Sequence, residues 1–210
     1  MLYIELQYFP TVVCYSVLSN QKSADFSLYD LYRKASFRNR CMIAGANGVI
    51  PLSIPISGGR GLKAAYREVG IDHGTPWQRR HFQSIRSSYG KSPFFEHYGD
   101  GLSRLFESRF DWLVDWNLAC LAWVDGVFGV DSNRGFAVDA SEPVLDLRDR
   151  LLPSNFQSPA WGPFPVYPQA FQERMGFQVN LSILDLVMSM GRLGKGILER
   201  TGDDFIRRSN

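Results

Sequence analysis

The chain has 210 residues, 45% of them hydrophobic and 14% aromatic, with a formal net charge of +2. That is enough apolar surface for a packed core, which excludes a disordered chain, and enough length for one large domain or two small ones. Charge is unevenly spread: residues 31–91 hold eleven Lys or Arg against two acids, and residues 92–149 hold four against eleven.

Residues 3–9, YIELQYF, read as a first strand stopped at Pro10. TVVCYSVLSNQ is apolar on a helical spacing, with Val13, Val17 and Leu18 inward. DFSLYDLYRKASFRNRCMI is strand-like, rich in aromatics with partial alternation. If ASFRNRC is extended, Phe37, Asn39 and Cys41 face one way and Arg38 and Arg40 the other, as a pair. Asn47-Gly48 between apolar runs is a hairpin cue. In its second strand Ile50, Leu52, Ile54 and Ile56 share a face, and Pro51 and Pro55 remove donors from one edge, which marks a sheet margin.

SGGRGLK is a basic glycine-rich loop, read as a mobile turn or a phosphate nest. A helix opens with Thr75 as N-cap and Pro76 at its first position. Trp77, His81 and Ile85 share one stripe, and Arg79, Gln83 and Arg86 another. Residues 110–128 form an amphipathic helix whose apolar stripe contains one amide, Asn117. Residues 131–165 are irregular with scattered short strands, and NLSILDLVMSMG is a helix with Asn180 as N-cap and Gly191 as stop.

These elements predict a single α+β domain over 1–210. An N-terminal mixed sheet with the Asn-Gly hairpin packs against helices near 76–90, 110–128 and 181–190. Residues 192–210 are a frayed or weakly helical tail. The alternative is a three-layer α/β arrangement, since strand and helix segments partly alternate.

Several chemistries lack their motifs. There is no Gly-x-Ser-x-Gly elbow, no His-Glu-x-x-His and no dinucleotide fingerprint. GRLGKG at 191–196 lacks the spacer and final Ser/Thr of a phosphate loop. Cys14, Cys41 and Cys120 have no zinc or redox spacing, and the three histidines have no ligand spacing, so no metal and no cofactor is expected. No run approaches a membrane span and no secretory leader is visible, so cytoplasmic residence is expected. His81 reads as a buried histidine or a general base. Asn117 either braces a neighbouring backbone or reaches into a pocket. Asp185, inward on its helix, would want an Arg partner, and Arg38 or Arg40 would serve.

Four blocks, QYFPTVVCYSVL, DLYRKASFRNRCMIAGANGVIPLSIPI, WQRRHFQSIRSSYGKSPFFEHY and YPQAFQERMGFQVNLSILDLVMSMG, occur in that order. Together they resemble the WbqC-like family in its shorter, Bacteroidetes-type form, over about residues 6–191. The resemblance points to Tyr8, Phe9, Pro10, Lys34, Arg38, Asn39 and Arg40. It continues with Trp77, Gln78, His81, Tyr89, Asn117, Tyr167, Gln169, Asn180, Ser182 and Asp185. It implies a cytoplasmic role in surface-polysaccharide synthesis of the lipopolysaccharide O-antigen type, on an activated or lipid-linked sugar precursor.

Two readings follow. In one, the protein is an acyl- or aminoacyl-transferase acting on an activated amino sugar, with His81 as base oriented by Asp185 or Asn117. Tyr8, Lys34, Arg38, Asn39, Arg40, Trp77, Gln78, Arg79, Gln169 and Asn180 then bind the substrate. In the other, the same face binds a nucleotide-sugar or other phosphorylated small molecule, or a partner protein, without catalysis. No recognition module supports a nucleic-acid partner, and the oligomeric state is left open.

Overall fold

The computed structural model describes residues 2–21, 23–59, 62–131, 133–137 and 145–209. Strand β1 (Leu2–Ile4) is fully buried and lies inside a parallel sheet. It leads through helix α1 (Val12–Ser19) to β2 (Ser23–Ser27), its parallel neighbour. β5 (Asn133–Ala137) continues the sheet beyond β2, and β6 (Leu145–Asp146) pairs with the other side of β1. The order β5-β2-β1-β6 reverses its winding between β1 and β6. Such a reversal opens a crevice at the carboxyl ends of the two strands.

The hairpin β3 (Arg40–Gly45) and β4 (Gly48–Ser53) stands as its own two-stranded antiparallel sheet. The architecture is α+β, a parallel sheet plus this hairpin packed with helices. Among the described strands β4 pairs with β3 alone, so its Pro51 edge carries no ladder, as the missing donor requires, while beyond the strand the Pro55 carbonyl accepts from the Asp72 N–H. The turn falls one residue early: Ala46 and Asn47 form it, and Gly48 takes the positive φ of 123°.

Thr11 caps α1 by accepting from the Cys14 N–H. The helix is buried on every side, because α7 (Lys195–Ser209) covers its outer face. At their crossing, a Cβ on Gly202 would lie 2.5 Å from the Ser16 carbonyl, so the two backbones meet without an intervening side chain. The tail from 195 is therefore a packed helix; Leu198 and Thr201 are buried.

Helix α2 (Trp77–Tyr89) starts one residue later than expected, with Pro76 at the cap position. Its stripe Trp77, His81 and Ile85 is buried, while Arg79, Gln83 and Arg86 are exposed. Helix α3 (Phe95–Glu107) packs against α2, and α4 (Leu113–Phe128) ends at Gly129 in the left-handed region. α5 (Gln172–Met175) is a single short turn of helix. α6 (Ile183–Met190) is capped by Ser182 rather than Asn180. Asn180 instead takes a left-handed φ of 54°, accepts from the Val13 N–H and donates to the Phe156 carbonyl. It thereby ties α1 to the loop before α6.

Candidate functional site

Residues 28–39 are turns rather than a strand, so Arg38 and Arg40 do not alternate with Asn39 as a pair. Arg38 is fully buried, and its Nη1 donates to Asp149 Oδ1 at 2.7 Å. Its carbonyl accepts from Asn117 Nδ2 at 2.6 Å, and its guanidinium lies over the Tyr66 ring. Asn117 Nδ2 also donates to the Tyr66 hydroxyl, which donates on to the Leu6 carbonyl. Asn117 thus braces the backbone. Glu5, at the end of β1, accepts from Gln7 and from the Asp149 N–H, and burial pushes its carboxyl up. The crevice between β1 and β6 is therefore filled by the chain's own carboxylates and the Arg38 guanidinium. The partner foreseen for Arg38, Asp185, is replaced by Asp149, and Arg40 is half-buried at the start of β3.

A second buried group centres on His81. Its Nδ1 lies 3.0 Å from the Tyr8 hydroxyl, and the ring packs edge-on against Trp77. Burial pushes His81 down to about 4, against the pull of the Ser53 carbonyl. His81 hydrogen-bonds neither Asp185 nor Asn117. Asn39 donates to the Ile54 carbonyl and holds the hairpin base. Gln78 donates to the Phe106 and Ser108 carbonyls, joining α2 to the end of α3. Arg79 and Lys34 are exposed.

The third group is open on one side. Asp185 on α6 is fully buried and accepts from Gln169 Nε2 at 2.8 Å. The Tyr89 and Tyr167 phenols also act on it; Tyr89 accepts in turn from the Ala44 N–H. Burial outweighs these donors and pushes Asp185 up to about 6. Gln169 lines a cleft of about 580 Å³. Arg86 and Lys91 flank this cleft, Ser88 and Ser189 supply hydroxyls, and Pro168 and Phe171 form an apolar wall. A second cleft of about 640 Å³ adjoins it across Ser87, Ser88 and Phe171, with Arg80, Gln83 and Asn47 in its lining. Among the described residues, neither lining holds an Asp or Glu. Arg80, Arg86 and Lys91 make no ion pair among the described residues. Phe171 has a left-handed φ of 64°, which is uncommon for a bulky residue.

The family model for WbqC-like proteins matches residues 7–152. The chain belongs to the WbqC-like protein family. Membership is consistent with an association with polysaccharide biosynthesis. No curated protein and no solved structure matches this WbqC-like chain. The matched span holds the Arg38 and His81 groups and the α2 side of the cleft. Gln169 and Asp185 lie beyond it.

Of the residues singled out in the sequence, Tyr89, Tyr167, Gln169 and Asp185 meet beside the cleft. Tyr8, Trp77 and His81 meet in the core, as do Arg38 and Asn117. Arg86 was legible on the exposed stripe of α2, but Lys91, Ser189 and Phe171 were not singled out. Only the chain's return past α2 brings them together. Arg60 and Gly61 of the SGGRGLK loop lie outside the described residues. The three cysteines are free and buried. Among the described residues, no group of three His, Cys, Asp or Glu side chains could hold a metal ion. No helix among them is long and apolar enough to cross a membrane.

Proposed function

We propose that this WbqC-like protein binds a phosphorylated sugar precursor of surface-polysaccharide synthesis, a nucleotide-sugar, in the paired clefts along α2. The observation that carries this reading is a cleft of ligand size lined by Arg86 and Lys91 and, among the described residues, by no acid. Unpaired cations favour a phosphate through charge-assisted hydrogen bonds. The hydroxyls of Ser88 and Ser189 and the Phe171 wall suit a hydroxylated ring with an apolar face. Asn47 and Gln83 in the adjoining cleft carry both donors and acceptors, as a nucleobase edge requires. A nucleotide-sugar ligand goes with a cytoplasmic protein.

Binding comes before catalysis in this reading. Acyl or aminoacyl transfer to an amino sugar needs a base open to the ligand. His81 faces Tyr8 in the core, and Asp185 is covered by Gln169. Thermal denaturation with UDP-glucose, GDP-mannose and glucose 1-phosphate tests the proposal. A saturating ligand raises the Tm by mass action. A Tm unchanged by all three at millimolar concentration overturns it.

A further inference from the structure

The loop that walls the cleft is fastened by one side-chain amide. Gln169 Nε2 donates to the Gln178 carbonyl at 2.9 Å, and Gln169 Oε1 accepts from the Gln178 N–H at 2.8 Å. Both ends of the 169–178 loop are thus clipped together. The remaining Nε2 proton goes to Asp185 Oδ2. Within the loop lie Phe171, which lines both clefts, the short helix α5, and Gly176 at φ 69°. Arg174 reaches from α5 to Asn47 at the hairpin tip.

Asp185 is an unusual anchor. It is fully buried, its Oδ1 has the Tyr89 and Tyr167 phenols beside it but no well-formed hydrogen bond, and no Lys, Arg or His pairs with it among the described residues. The groups that act on it are Tyr89 of α2 and Tyr167 and Gln169 of the segment before α5. From α1, α4, β3 and the turn after α6, which also pack against α6, no titratable or charged group among the described residues acts on it. A neutral carboxyl is content in such a place. An ionised one draws a stronger hydrogen bond from Gln169, but burial outweighs that bond, and the carboxylate regains hydration where the loop lifts away.

We infer that Asp185 is a positioning residue that latches the 169–178 loop over the cleft through Gln169, and that the latch loosens when the Asp185 carboxyl loses its proton. The sign follows from linkage. Burial holds the closed-state carboxyl at about 6, whereas a hydrated one titrates near 3.8. The closed loop therefore binds the proton more tightly, and low pH favours closure. Between about pH 4 and 7 the open-to-closed ratio rises by up to about 100-fold.

The test needs no ligand. Amide hydrogen exchange of residues 170–178 is followed from pH 5 to 7.5, corrected for intrinsic rates, with the buried face of α4 as reference. The expected result is a loss of protection of up to about tenfold in the loop alone, absent in Asp185→Asn. Protection that stays constant across this range in the wild-type protein overturns the inference, as does an unchanged pH dependence in Asp185→Asn. Gln169→Ala, which leaves the carboxyl in place, is expected to exchange fast in the loop at both pH values; wild-type protection there removes Gln169 as the latch. A loop that switches in a protein that binds none of UDP-glucose, GDP-mannose and glucose 1-phosphate supports the latch and overturns the ligand reading above.

Discussion

The Arg38 group and the Asp185 group are built from the same materials, a buried charge, phenols and a side-chain amide, and they do opposite things. Arg38 is closed in by Asp149, Tyr66 and Asn117, and its charge helps hold the buried Glu5 carboxylate. Asp185 has no opposite charge, and its amide neighbour borders a cleft. A buried charge with its counter-ion supports the fold. A buried charge without one raises its own proton affinity, and it can act on whatever segment covers it.

The largest effect should come from Arg38→Leu, which strands both Glu5 and Asp149. Asp149 is partly exposed, so the loss sits at the low end of what breaking a buried pair gives, about 3 kcal/mol, read from chemical denaturation. A loss under about 1 kcal/mol would mean that the two groups differ less than their geometry says.

Next come the opposed titrations of His81 and Asp185. His81 has a folded-state pKa of about 4, below its ordinary 6.5, so its stabilisation is complete above pH 6.5 and lost as pH falls towards 4. Asp185 has a folded-state pKa of about 6, above 3.8, so its stabilisation is complete below about pH 3.8 and lost as pH rises to 6. Between pH 4 and 6 the two slopes nearly cancel. His81→Phe should therefore become less stable as pH rises through this window, and Asp185→Asn more stable, each on the order of 2 kcal/mol. Parallel pH profiles for the two variants would erase the contrast.

Changing both Arg86 and Lys91 to Ala should weaken nucleotide-sugar binding about tenfold, equivalent to about 1.4 kcal/mol. Stability should stay within about 0.5 kcal/mol, because both side chains are exposed. Calorimetric titration with UDP-glucose checks the first, and the melting temperature the second. The smallest change is Gln78→Ala, which removes two donors to carbonyls at the end of α3 and should cost about 1 kcal/mol. Its effect on ligand affinity should be nil.

What the sequence made legible was local. The Trp77, His81 and Ile85 stripe is buried because its spacing matches a helix turn, and Asn117 braces backbone because a buried amide must find partners. The Pro51 and Pro55 parity correctly placed β4 at an edge. Helix α3 was missed, because Gly99 and Gly101 interrupt a pattern that Tyr98, Leu102, Leu105 and Phe106 otherwise carry. Partner identity was not legible either. Asp149 lies 111 positions from Arg38, and no periodicity links residues that distant. The same holds for the cleft, whose two walls, around Arg86 and Gln169, belong to separate parts of the chain.

The backbone contact at Gly202 bears on the order in which the protein can become whole. On the ribosome α1 emerges long before α7, whose Glu199 carbonyl is bonded by Asn20 from 179 positions upstream. An apolar helix made early is sealed by one made late. Contacts of such sequence separation form slowly, so nascent chains must keep α1 from other surfaces until its cover arrives.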